Sequence, residues 1–179
     1  MIFTKLFSIA CRISLVFVVR TLETIVKNEA AGQDLSYVII KNMKIVELKP
    51  VSKNKIGRII AKNVHLEPHE YETILFLVLY GLNIEIVTPT NIPKANNPDF
   101  VINGAVWEAK SPLGNGKYTI QRHFHKASHQ SNRMILDLRR MKASPSELEA
   151  EAIKRFRFSK SIKHLMLITK DNRLLDIKK

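Results

Sequence analysis

The sequence predicts a mixed α/β layer fold, and three observations carry that prediction. From Pro68 to the C-terminus, segments follow the order helix, three strands, helix, strand, helix, two strands, an alternation that builds layered α/β folds. The strand-like runs Asp99–Ile102 and Ala105–Ala109 flank Asn103-Gly104, the strongest short-range hairpin signal. A second such pair, His164–Thr169 and Arg173–Ile177, flanks Asp171-Asn172.

Taken in order, residues 4–29 read as a helix ending near Asn28 and the Ala-Ala-Gly at 30–32. Val38-Ile39-Ile40 and Ile45–Leu48 are short strands by β-branched content. Pro50–Lys55 reads as a linker and Gly57–Val64 as a further strand. Pro68 opens a helix, where its fixed φ suits the first turn. The helix is apolar all round over Ile74–Tyr80 and ends at Gly81. Ile84–Val87 is a strand, and Thr88–Asn97, with two prolines and three asparagines, is a loop. The loop Ser111–Lys117 leads to a helix through about Asn132, then a strand over Met134–Leu138. Ser146–Ile162 is amphipathic helix, with Ser144-Pro145 and acidic residues at its start. The linker divides the chain into residues 1–54, an apolar helix with short strands, and a domain over 55–179.

Composition narrows the partners. The 179 residues carry a net charge of +13, which calls for a polyanion, nucleic acid or an anionic membrane. Residues 110–179 hold 17 Lys/Arg against 6 Asp/Glu, a net +11, leaving +2 for residues 1–109. Any basic partner surface therefore belongs mostly to the C-terminal part. Cys11 is the single cysteine, so the chain has no disulfide partner of its own and no cysteine zinc site. Met1–Val19 is apolar but carries Lys5 and Arg12. A charge inside a spanning helix costs about 2.5–3.5 kcal/mol on insertion scales, and the residues after Val19 make a poor cleavage site. A buried or interfacial helix is preferred there, with secretion or membrane contact through residues 1–19 as the less favoured alternative.

The chemistry gathers on the first hairpin. Antiparallel pairing across Asn103-Gly104 sets Asp99 near Glu108, and strand alternation sends Glu108 and Lys110 to one face. Three charged groups then converge at one end of an otherwise apolar strand pair. Two carboxylates can hold a divalent cation through oxygen, as Mg²⁺ prefers. Such a cation clamps a scissile phosphate and lowers the pKa of water, and a lysine beside it offsets charge growing on the phosphate. A surface ion pair between Glu108 and Lys110 is the plain alternative.

Pro98-Asp99, eight residues and then Glu108-Ala109-Lys110 resemble the signature of PD-(D/E)xK nucleases. Glu70, Thr73, Leu77 and Gly81 match the spacing on the preceding helix that supplies a further carboxylate in such enzymes, with Glu72 as the competing choice. His69–Thr73, Asn97–Phe100, Trp107–Pro112 and the late Leu-Ile-Thr-Lys are similar to the C-terminal tRNA nuclease domain of contact-dependent growth inhibition (CdiA) toxins, over roughly residues 55–179. The resemblance implies a restriction-endonuclease-like core, a mixed central sheet flanked by helices. It implies catalytic Glu70, Asp99, Glu108 and Lys110, with Asp99 and Glu108 on Mg²⁺ or Mn²⁺ helped by the Ala109 carbonyl. It also implies tRNA as substrate, a cytoplasmic site of action and an immunity protein as partner.

On the following helix Arg122, Lys126, Gln130 and Arg133 recur at helical spacing, a row that would grip backbone phosphates. Lys117 sits in a basic loop close to Lys110. His125 and His129 have the spacing of two zinc ligands, but no Glu follows His125 and no third ligand is in view. Trp107 belongs to the core face. Two rival readings stay open: a restriction- or repair-like DNA endonuclease of the same fold, and a non-catalytic basic nucleic-acid-binding module.

Overall fold

The structure, a computed structural model, describes residues 37–40, 43–61, 64, 66–88, 99–114 and 117–179. The expected helix over 4–29, the Met1–Val19 segment, Cys11 and most of the Thr88–Asn97 loop lie outside the described residues. Among the described residues no helix is long and apolar enough to cross a membrane.

Among the described residues nine strands form one mixed sheet. They are β1 (Tyr37–Ile40), β2 (Met43–Leu48), β3 (Ile59–Ile60), β4 (Ile84–Ile86), β5 (Phe100–Ile102), β6 (Ala105–Lys110), β7 (Arg133–Asp137), β8 (His164–Ile168) and β9 (Leu174–Lys178). Their order across the sheet is β1-β2-β9-β8-β7-β6-β5-β4-β3. The centre is parallel, β6 with β7 and β7 with β8, and hairpins border it on both sides. Among the described residues the helices α1 (Pro68–Val78), α2 (Lys117–Ala127) and α3 (Pro145–Phe158) cover the faces.

Strand alternation divides the core in two. Met134, Leu136, Leu165, Leu167 and Ile177 pack against Ile120 and Phe124 of α2 and Leu148, Ala152 and Phe156 of α3. The intervening residues Trp107, Ile135, Met166 and Ile168 pack with Phe100 and Ile102 against Ile74, Leu77 and Val78 of α1. The mixed α/β architecture and the element order from Pro68 onward are as expected from the sequence.

Boundaries differ in informative places. The strand expected over Gly57–Val64 is reduced to Ile59–Ile60, an exposed edge that pairs in parallel with β4. Gly57 lies just before it because a Cβ there would stand 1.9 Å from the Leu82 carbonyl oxygen. The second helix stops at Ala127 rather than near Asn132. Its last carbonyls are taken by a tight turn, with Gln130 N–H donating to Ala127 O and Ser128 Oγ to His125 O. The third helix ends at Phe158, and Ser159 Oγ then accepts from the Ile162 N–H. The sheet also crosses residue 54: β2 pairs antiparallel with β9 in the register Lys44↔Lys178 to Leu48↔Leu174, and Met43 is buried in the core.

Candidate metal-binding carboxylate site

The site starts from a two-residue turn. Asn103 and Gly104 have φ of 50° and 75°, the left-handed pair that a tight hairpin requires and that Asn-Gly adopts readily. The turn fixes Phe100 opposite Trp107. Phe100 and Trp107 point into the α1-side core, so the next residues outward, Asp99 and Glu108, both turn toward the α2 side. Lys110, two residues beyond Glu108, shares that face. The structure thus brings together Asp99, Glu108 and Lys110.

Their contacts are specific. The Ala109 N–H donates to Asp99 Oδ2 at 2.7 Å. The N–H and C=O of one strand residue point to the same side, so the Ala109 carbonyl leaves β6 on the side of Asp99. Lys110 Nζ donates to Glu108 Oε1. Glu108 is fully buried, and its second oxygen, Oε2, has no hydrogen-bond partner among the described residues. Burial pushes the Glu108 carboxyl up to about 7, with Lys110 opposing and the nearby Asp99 charge adding to the rise. Asp99 is raised by burial as well, against the Ala109 N–H and Lys110, with the Glu70 charge contributing. The two raised carboxyls lie close enough for each to act on the other.

Such a pair fits a hard divalent cation. Oxygen donors converge, one of them an orphan, where a cation would relieve the repulsion between the two carboxylates. Among the described residues no group of three or more His, Cys, Asp or Glu is gathered closely enough to hold a metal ion, so this part of the chain presents a pair. Glu70 stands at the start of α1, near enough for its charge to act on Asp99, but its Oε2 accepts from the Glu67 N–H at 2.9 Å in a capping box. Glu72 faces elsewhere, with its charge acting on Arg139.

The basic row expected along the second helix is divided. Arg122 and Lys126 are exposed on α2, and both lower the pKa of His123 after its burial and Lys110. Gln130 lies in the turn beyond the helix and Arg133 opens β7, where its guanidinium donates to Asn132 Oδ1. Because α2 runs back from the end of β6 to the start of β7, these two sit at the far end of the strands from Lys110. They do not continue the helical face, since the helix has ended at Ala127. Lys117 opens α2, and its side chain lies outside the description. His125 and His129 stack edge to face at 4.8 Å. Trp107 is buried and packs edge-on against His164.

His123, which the sequence groups with His125 and His129, lies apart from them as a neighbour of Lys110. It is half-buried with an unpartnered Nδ1, and Lys110 is close enough to disfavour its protonation. Its spacing was the available signal: three residues after Ile120 and four before Ala127, both fully buried, it falls on the inner face of α2.

Residues 96–174 match the family model described as the contact-dependent growth inhibition CdiA C-terminal domain. No curated protein matches the chain. Among solved structures, the chain is similar to one from the CdiA-CT/CdiI toxin and immunity complex from Burkholderia pseudomallei. That match has 23% sequence identity and a TM-score of 0.54, covering 69% of this chain and 100% of the other. At that identity the likeness is one of fold. The span matched by the family model contains Asp99, Glu108 and Lys110, while Glu70 lies outside it.

Proposed function

We propose that the chain is a metal-dependent endonuclease of the PD-(D/E)xK type that hydrolyses phosphodiester bonds in tRNA. The observation that carries this reading is the convergence of Asp99, Glu108 and Lys110 at one end of the β5–β6 hairpin. The match of residues 96–174 to CdiA C-terminal domains supports a toxin-type nuclease. Likeness to a chain of a toxin and immunity complex supports an immunity protein as partner. A tRNA substrate would set its site of action in the cytoplasm.

Asp99, Glu108 and the Ala109 carbonyl would hold Mg²⁺ or Mn²⁺, with Glu70 orienting the shell from the first turn of α1. The ion would supply charge neutralisation at the scissile phosphate and a lowered pKa for the attacking water. The chain's own groups do the rest. Asp99 is fixed in orientation by the Ala109 N–H, which leaves Oδ1 for other partners. Lys110 brings an ammonium to the same face, where it offsets negative charge gathering on the phosphate in the transition state. Arg122 and Lys126 add positive potential alongside, which favours approach of a polyanion.

The test is cleavage of total bacterial tRNA by the purified protein, with Mg²⁺ and with EDTA, beside Asp99→Ala and Lys110→Ala. Discrete fragments that require the metal and vanish in both variants are the expected result. Cutting of plasmid DNA with tRNA left intact would keep the site and change the substrate. Salt-sensitive binding without cleavage of either would overturn the enzyme reading.

A further inference from the structure

The α2 row leads away from the carboxylates, so the path of a substrate strand has to be sought elsewhere. Strands β6, β7 and β8 run parallel and end at one edge, at Lys110, Asp137 and Ile168. In open α/β sheets ligands gather outside the carboxyl ends of the strands. Three loops leave this edge, and two carry a half-buried cation held by backbone carbonyls. Arg140 donates from NH1 to Ser111 O at 3.3 Å, directly after Lys110. Lys170 donates from Nζ to Lys142 O at 3.2 Å and to Ala143 O at 3.1 Å.

Neither cation has a carboxylate partner among the described residues, although acids are at hand. Asp137 is taken by the neighbouring Arg139, and Asp171 and Glu149 by Arg173. Adjacent residues thus have opposite fates: Arg139 is neutralised and Arg140 is not. A partly buried, uncompensated guanidinium is costly unless an anion completes it, and its planar fork fits a phosphate with two parallel hydrogen bonds. Strands lie about 4.8 Å apart, so the carboxyl ends of β6, β7 and β8, from which the loops carrying these cations leave, span about 10 Å, a width that several phosphates of one strand cover.

We infer that the backbone of a nucleic-acid strand crosses the carboxyl edge of β6, β7 and β8, held by Arg140 and Lys170 in continuation of Lys110. This rests on the nuclease reading for the identity of the polyanion. The strand leaves the carboxylate pair across the sheet edge rather than along α2 toward Arg133.

The experiment measures binding of fluorescein-labelled tRNA at a series of salt concentrations in EDTA, where the metal-dependent cleavage is off. Arg140→Gln and Lys170→Gln keep a donor for the carbonyls and remove the charge. Each is expected to flatten the slope of log Kd against log salt by about 0.7–0.9, and the double variant by about twice that. Arg140→Lys should keep the slope. Lys160→Gln, at the opposite edge beyond α3, should leave it unchanged, and unchanged urea midpoints exclude misfolding. A double variant that folds and keeps the wild-type slope overturns the inference, as does an equal loss in Lys160→Gln. Wild-type binding with these slopes but no cleavage when Mg²⁺ is added would sink the nuclease reading and leave the track standing.

Discussion

Thr73 Oγ1 donates to Asp137 Oδ2 at 2.7 Å, which ties the first turns of α1 to the carboxyl end of β7. The same hydroxyl lies 2.9 Å from the His69 carbonyl, so its one proton is shared between the two acceptors and the contact steadies the turn that carries Glu70. Asp137 is buried and grips Arg139 as well, through Nε at 2.9 Å and NH2 at 2.5 Å. Arg139 in turn stacks on Phe76 of α1 at 4.8 Å. Removing one partner of a buried pair costs about 3–5 kcal/mol, because the other is left uncompensated. Asp137→Ala should therefore lower stability by about that amount. Thr73→Val, which removes one hydrogen bond while Arg139 still satisfies the carboxylate, should cost about 1 kcal/mol. Urea unfolding of both variants checks the ratio, and equal losses would refute the linked arrangement.

The hairpin turn offers a cleaner backbone test. A Cβ on Gly104 would meet nothing within 4 Å, so only its φ of +75° opposes a side chain. Gly104→Ala should cost about 1–2 kcal/mol and leave the Asp99–Glu108 register, hence metal binding, intact. Inserting one residue in the turn shifts the register and, by strand alternation, would send Asp99 to the α1 side. Mn²⁺ binding followed by calorimetry should survive the first change and vanish in the second.

What was legible in the sequence follows the range of the forces involved. Asn103-Gly104 and strand alternation are local, and they sufficed to bring Asp99, Glu108 and Lys110 together. Helix and strand order from Pro68 onward was likewise written in short-range pattern. The end of α2 was not, because Ser128, His129 and Gln130 carry no proline or glycine, and the turn there is set by hydrogen bonds to Ala127 and His125. The neutral and uncompensated fates of Arg139 and Arg140 depend on Asp137 and Ser111, and only the packed structure assigns them. The capping use of Glu70 was readable in principle, since Glu67-Pro68 followed by Glu70 has capping-box spacing.

The pairing of β2 with β9 yields a prediction about the N-terminal residues. A chain lacking residues 1–54 would lose the buried Met43 and leave the hydrogen-bonding edge of β9, Leu174–Lys178, open. An exposed, largely apolar edge strand is a template for association. Glu47, which lies 3.8 Å from Arg173, would go too. The truncated protein should elute as concentration-dependent oligomers in size-exclusion chromatography, whereas the full chain should not differ in size over the same concentrations. A stable monomeric fragment would show that β2 is dispensable to the sheet.

Glu108 sets function against stability. Its folded carboxyl is raised to about 7 by burial, against Lys110 and with Asp99 adding to the rise, while an unfolded Glu titrates near 4.5. A raised acid favours the protonated folded state. Its destabilising effect is therefore absent below about pH 4.5, grows as pH rises toward 7 and is complete above that. In EDTA, stability referred to this group should fall across that window. Glu108→Gln, which cannot ionise, should remove the fall and leave the metal-free protein more stable than wild type at pH 8. A cation must displace the proton, so wild-type Mn²⁺ affinity should rise through the same window, and Glu108→Gln should lose both Mn²⁺ binding and tRNA cleavage. Urea midpoints in EDTA at pH 5 and pH 8, read beside calorimetric Mn²⁺ titrations, test both halves. A glutamine variant less stable than wild type at pH 8 would mean that the ionised Glu108–Lys110 pair is structural.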